Sequence, residues 1–212
     1  MKVLVGCEES QEITKAFRAR GHEAYSCDLK PCSGGHPEWH IQDDVFNHLD
    51  YHWSDILIIH VPCDHLAVSG ARWFEGKRKD GRQRAAIEFF IRVMDCTVHS
   101  VAIENPVGIM SGNKEYIKKY YPDLYERVKT LPKPQYIQPY EYGHPETKKT
   151  CLWLKNLPKL IPTNNVYEEM MQLPKNKRNR IHYMPPSPER SALRAKTYSG
   201  WAQAMASQWG DL

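Results

Sequence analysis

Long apolar runs are missing from this chain. The longest, Val3–Cys7 and Ile56–Ile59, reach about five residues, against the roughly 20 that a membrane-spanning helix needs, so no transmembrane segment is expected. The N-terminus turns acidic at Glu8 and Glu9 before an apolar leader segment can form, which speaks against export. The six cysteines, at positions 7, 27, 32, 63, 96 and 151, contain no C-x-x-C pair. No structural zinc or other metal site is therefore expected, and the thiols are read as reduced in a cytoplasmic compartment. Charge of one sign is also scarce. The balance of 29 Lys+Arg against 25 Asp+Glu gives +4, which permits a polyanionic partner without demanding one.

What is present is the material of one domain. The 212 residues are 41% hydrophobic, enough for a sizeable core. Lys2–Cys7 reads as a buried strand, and Ser10 as the cap of a helix that runs to about Arg20 and stops at Gly21. Further strands are predicted over Ala24–Cys27, Asp55–His60 and Val98–Ile103, with an amphipathic helix over Gln83–Asp95. This alternation predicts an α/β fold: a mostly parallel sheet with crossover helices on both faces. The second half changes character, because eleven of the fifteen prolines fall between residues 122 and 188. It is expected to be loop-rich, with one strand at Thr150–Leu154. Lys175–Arg180 carries four basic residues in six and reads as a solvated loop, with phosphate contact the sharper alternative. Trp201, Met205 and Trp209 recur every four residues and mark a helical stripe that packs on the core.

In such a sheet, ligands bind at the carboxyl ends of the strands. The expected ends are Gly6-Cys7-Glu8-Glu9-Ser10, Asp28, His60-Val61-Pro62-Cys63 and Glu104-Asn105-Pro106. An acid closing the second strand suits ribose hydroxyls, yet residues 6–11 read GCEESQ and offer one glycine where a pyrophosphate loop needs three. An adenosine ligand without phosphates needs no such loop, and S-adenosylmethionine fits that description.

Val61-Pro62-Cys63-Asp64-His65-Leu66-Ala67-Val68-Ser69-Gly70-Ala71-Arg72 resembles the catalytic loop of the DNA cytosine carbon-5 methyltransferases, which typically reads P-P-C-Q-x-F-S-x-A-G-x-R. Ile103-Glu104-Asn105-Pro106 is similar to the family's E-N-V segment. Tyr142-Gly143-His144-Pro145-Glu146-Thr147-Lys148-Lys149-Thr150 is similar to its Y-G-x-P-Q-x-R-x-R segment. The segments keep the family's order across residues 3–155, and the P-C-x-x-L-A-x-S-G-A-R and E-N-P segments resemble small phage-encoded members.

The resemblance implies a Rossmann-like S-adenosylmethionine-dependent methyltransferase fold over 1–155. It leaves a minimal target-recognition region over 156–195 and a helix over 196–212 that packs back on the core. It makes Cys63 the nucleophile that adds to carbon 6 of cytosine and Glu104 the carboxyl group at N3 and the exocyclic amine. Pro62 belongs to the catalytic Pro-Cys pair and Asn105 would help fix the loop, while Arg72 and Lys148 would contact base or phosphate. On the cofactor side it assigns Gly6, Cys7, Glu8 and Ser10 to the methionine portion, Asp28 to the ribose, and Asp44 (or its neighbour Asp43) to the adenine amine. The expected substrate is cytosine in DNA taken out of its stack, in the cytoplasm of a bacterial host for a phage-encoded protein.

Several departures stand beside the likeness. The first loop lacks the family's F-x-G-x-G, Val61 replaces a proline, and Lys148 and Thr150 replace two arginines. The short recognition region implies low sequence selectivity, or recognition supplied by a partner or a second copy of the chain. Two other readings stay open: the same chemistry on a mononucleotide such as dCMP, and a catalytically silent DNA-binding or anti-restriction protein that keeps the fold. A zinc deaminase is set aside because position 66 is Leu where P-C-x-x-C needs Cys.

Overall fold

Residues 1–49, 54–112 and 114–212 are described by the computed structural model of the chain. Strands β1 (Lys2–Gly6) and β4 (Ile56–His60) are nearly continuous apolar runs because both of their faces are covered. Val3, Val5, Ile56 and Ile58 point to one side of the sheet, and Leu4, Leu57 and Ile59 to the other. The remaining strands are β2 (Glu23–Asp28), β3 (His40–Gln42), β5 (Ser100–Pro106), β6 (Gln135–Ile137) and β7 (Thr150–Lys155). The sheet order is β3-β2-β1-β4-β5-β7-β6. β3, β2, β1, β4 and β5 are parallel neighbours, and β7 runs against both β5 and β6. The order reverses between β1 and β4, which places the ligand crevice of an open α/β sheet at that point.

The helices are α1 (Glu12–Ala19), α2 (Phe74–Lys79), α3 (Arg82–Met94), α4 (Ile109–Gly112), α5 (Lys114–Tyr120), α6 (Pro122–Lys129), α7 (Tyr167–Gln172), α8 (Lys175–Arg178), α9 (Arg180–Tyr183), α10 (Arg190–Ala195) and α11 (Ser199–Trp209). α1 and α11 cover one face, where Ile13, Phe17, Trp201, Met205 and Trp209 are buried together. α3 and the α5–α6 pair cover the other through Ile87, Phe90, Ile117 and Val128. The chain is thus a Rossmann-like α/β fold with a mostly parallel sheet and helices on both faces, as the alternation in the sequence implied.

Four local features differ from the sequence-based expectation. Ser10 does not cap α1: Gln11 sits at the cap in a left-handed conformation (φ 57°), its side chain bonded to Ser26 and His36 instead of the helix, and the Glu8 carboxyl group does the capping, as described below. β5 does not stop at Ile103 but runs to Pro106, because β7 pairs with it through Asn105↔Cys151 and Pro106↔Thr150. Lys175–Arg180 is not an open loop. The Pro174 carbonyl accepts the N–H groups of Lys177 and Arg178 and starts α8. The proline-rich half is also more regular than its composition suggested, with Pro122 in the first turn of α6, a position proline favours.

Candidate active site

The parallel register sets His60 beside Glu104. Their side chains meet, the His60 Nδ1–H donating to Glu104 Oε2 at 2.7 Å, with both largely buried. Burial alone would lower the histidine's pKa, but the Glu104 hydrogen bond and the charges of Glu104 and Glu8 outweigh it and raise the value. Burial would likewise raise the pKa of Glu104, yet the His60 bond and the charges of Lys148 and His60 bring it below the ordinary range. Glu104 is therefore held as a carboxylate. On its far side, His60 Nε2 faces Thr197 Oγ1 at 3.4 Å. The sequence pointed to Glu104 but not to its partner, since a histidine before Pro-Cys reads as loop polarity.

The Cys63 loop is pinned to the segment after β5. Asn105, buried between strands, donates from Nδ2 to the Val61 carbonyl at 3.3 Å, one residue before Pro62. Its Oδ1 is buried with no hydrogen-bond partner among the described residues. The Ile109 N–H donates to the Leu66 carbonyl at 3.0 Å, and Ala67 bridges Gly108. Gly108 permits this approach because a Cβ there would lie 2.2 Å from the Leu66 oxygen. Cys63 itself is exposed in the 3₁₀ turn Cys63–His65. Local burial and the charges of Asp64 and Glu104 raise its thiol pKa, and Lys148 works the other way. Cys63, Glu104 and Lys148 thus share one electrostatic neighbourhood.

Lys148 is positioned by the 142–150 segment. Its ammonium donates to the Arg194 carbonyl at 3.0 Å and lies 5.8 Å from the ring centroids of Tyr198 and Trp201. Glu146 accepts from Arg180 Nε (2.7 Å) and the Tyr198 hydroxyl (3.0 Å), and His144 Nε2 accepts the Gly200 N–H at 3.0 Å. The segment therefore ties the start of α11 and the basic stretch 175–180 to the strand ends. Arg72 lies apart, in the 3₁₀ segment Val68–Trp73, with its guanidinium 5.0 Å over the Trp73 ring.

The expected cofactor residues occupy the other half of the rim. Gly6 serves the core first, since a Cβ there would meet Val45 at 2.8 Å and Ile59 at 2.9 Å. Cys7 turns the chain at φ 55°. Burial, followed by the charges of Asp28, Cys27 and Asp44, pushes its thiol up to about 12, so these groups cluster. Glu8, 2% exposed, spends its carboxylate on α1: Oε1 accepts the Ile13 N–H at 2.7 Å, and Oε2 accepts Thr14 Oγ1 at 2.8 Å and the Thr14 N–H at 3.3 Å. Ser10 is half-buried beside it. Asp28 is half-buried, and its Oδ1 accepts the Lys30 N–H at 3.0 Å. Asp44 is exposed and caps the turn Val45–Asn47 by accepting the Phe46 N–H. Asp43 binds Asn47 and His48.

Among the described residues no cluster of His, Cys, Asp and Glu could hold a metal, and no helix is long and apolar enough to cross a membrane. Fold and site together define an α/β domain that carries a thiol and an ion-paired carboxylate on neighbouring strand ends beside the crevice.

No family model and no curated protein matches the chain. Solved structures do match. One is a DNA modification methyltransferase encoded within a prophage of E. coli, at 16% identity and TM-score 0.48, covering 82% of this chain and 56% of that one. A methyltransferase of Entamoeba histolytica has 10% identity and TM-score 0.47, covering 78% of this chain and 57% of that one. The Dnmt2 methyltransferase of S. pombe has 11% identity and TM-score 0.47, covering 91% of this chain and 61% of that one. The chain therefore spans less than two thirds of the length of each of these proteins.

Proposed function

We propose that the protein is an S-adenosylmethionine-dependent methyltransferase acting on carbon 5 of cytosine in DNA through a covalent Cys63 adduct. The observation that carries this reading is the shared frame of Cys63 and Glu104. An exposed thiol and an anchored carboxylate sit on adjacent strand ends, and their loops are tied by Asn105 to Val61 and by Ile109 to Leu66. Carbon 5 of cytosine is too weak a nucleophile to take a methyl group directly. Addition of the Cys63 thiolate to carbon 6 makes carbon 5 the nucleophilic end of an enamine. The proton lost by the Cys63 thiol passes through the Glu104 carboxyl group to N3, which neutralises the charge that addition pushes onto that atom, while Glu104 also accepts from the exocyclic amine and His60 fixes its rotamer. Loss of the carbon-5 proton and expulsion of Cys63 then restore the aromatic ring.

The cofactor half fits a nucleoside without phosphates. The first N–H groups of α1, where a pyrophosphate would sit, are already taken by the Glu8 carboxylate. A phosphate would have to displace that buried carboxyl group from the N–H groups of Ile13 and Thr14. Asp28, at the end of β2 beside Cys7, would hold ribose hydroxyls, and Asp44 the adenine amine. When bound, S-adenosylmethionine supplies an electrophilic methyl group.

The test is calorimetric titration with S-adenosylmethionine and S-adenosylhomocysteine, followed by methyl transfer to DNA and to dCMP. Micromolar binding and transfer to DNA support the reading, whereas transfer to dCMP alone reassigns the substrate. A folded protein that binds neither cofactor form would leave the silent DNA-binding reading in its place.

A further inference from the structure

Next to the Cys63 loop the surface carries an aromatic groove with cations on its wall. It has a volume of about 380 Å³ and is lined by residues including Val68, Arg72, Phe74, Arg78, Ile109 and Tyr116. Val68 in its wall is 52% exposed, and Trp73, in the same 3₁₀ segment, is 60% exposed. Arg72 lies over the Trp73 ring. Arg78 donates to the Tyr116 hydroxyl at 2.6 Å and lies 4.2 Å over the Tyr120 ring. The Lys77 ammonium donates to the Asp64 carbonyl, next to Cys63. Neighbouring cations are neutralised: Lys79 by Glu75, Arg82 by Asp80, Arg84 by Glu88 and Asp123. Arg72, Lys77 and Arg78 have no carboxylate partner among the described residues.

We propose that this groove, with Trp73 as a stacking platform and Arg72, Lys77 and Arg78 as phosphate contacts, docks single-stranded DNA beside Cys63. Cations spaced along an aromatic groove match a backbone that alternates phosphates with flat bases. Within a nucleic acid, the exposed indole of Trp73 can stack only on a base that is already unstacked, and a duplex presents none along its length. Attack by Cys63 requires the same unstacked state. The inference rests on the reading of Cys63 and Glu104 as a DNA cytosine site, and it names the form of DNA that site receives.

The test uses the full chain without cofactor and fluorescence anisotropy with three labelled probes of about 12 nucleotides: single-stranded DNA, the same sequence as a duplex, and the same sequence as RNA. Single-stranded DNA is expected to bind at least about tenfold tighter than the other two. Trp73→Ala should weaken it about tenfold or more, within the range for loss of one stacked base, and Trp73→Phe should recover most of the loss. Arg72→Gln and Arg78→Gln should each lower the slope of log affinity against log salt by nearly one, whereas Lys159→Gln, exposed next to the Pro158 contact with Trp209 of α11, should leave it unchanged. Equal binding of duplex or RNA, or a Trp73→Ala protein within about twofold of wild type, would overturn the proposal. Single-strand binding without methyl transfer would instead remove the methyltransferase reading and keep the surface. Cofactor binding and methyl transfer without a preference for single strands would do the reverse.

Discussion

The two halves of the strand rim use their carboxylates in opposite ways. At the β1–β2 end, Glu8, Asp28 and Asp44 all accept backbone N–H groups of nearby residues, so each acid shapes its own loop. At the β4–β5 end, Glu104 is bonded to a side chain on the neighbouring strand, and the loops beside it are tied to one another. An acid engaged by its own backbone contributes to the fold whatever else it binds. An acid paired with a buried imidazole across two strands has its rotamer fixed without using its own loop, and in the proposed function its other oxygen meets the base. On the proposed function, the same residue type at the same rim divides into scaffold and reagent according to the partner it finds.

Substitutions can break this contrast, and the largest effect falls on the thiol. Cys63→Ser should lower methyl transfer by at least about 1,000-fold, with cofactor affinity and melting temperature unchanged by calorimetry; full turnover in that protein would end the covalent mechanism. Next comes the buried pair. His60→Ala leaves Glu104 without its counter-charge and should cost about 3–5 kcal/mol of stability in chemical denaturation. His60→Asn, which keeps an N–H near the Nδ1 position, should lose clearly less. The pair also sets a pH window. Glu104 has a lowered pKa, so its contribution is complete above its unfolded value of about 4.3 and is lost as pH falls through the folded one. His60 has a raised pKa, so its contribution is complete below its unfolded value of about 6.5 and is lost as pH rises through the folded one. Denaturation midpoints of wild type and His60→Asn should therefore differ most between those two values.

The cofactor half sharpens the comparison with smaller effects. Asp28→Ala should weaken S-adenosylmethionine about tenfold, the size of a charge-assisted hydrogen bond, while stability moves by less than about 0.5 kcal/mol. Glu8→Gln should do the opposite. It replaces one acceptor oxygen of the α1 cap with an amide donor that faces the Ile13 or Thr14 donors, and should cost about 1–2 kcal/mol of stability with cofactor affinity within about twofold. If Glu8→Gln abolished cofactor binding without a change in melting, Glu8 would belong with the reagents.

The sequence made the sheet legible because β1, β4 and α3 announce themselves by local pattern: Val-Leu-Val, Ile-Leu-Ile-Ile and an apolar stripe at helical spacing. It made Cys63, Glu104 and Lys148 legible as candidates through their ordered segments. What stayed hidden depends on contacts across long stretches of chain. His60 meets Glu104 44 positions away, and only the register of β4 on β5 makes them neighbours. The capping role of Glu8 was masked because it precedes α1 by four residues, outside the usual cap position that Ser10 was expected to fill. β3 and β6 have three residues each, too few to show a period. The extension of β5 through Asn105 depends on a partner strand that comes 45 residues later.

The contact of Gly108 with the Leu66 carbonyl has a consequence for anyone who would rebuild this protein. With no room for even a methyl group between them, the Pro-Cys loop and the Glu-Asn-Pro loop form a single cassette with two entry points in the chain. A chimaera that imports one loop from another scaffold inherits a mismatch at that seam, so residues 61–68 and 104–109 must be grafted as a pair.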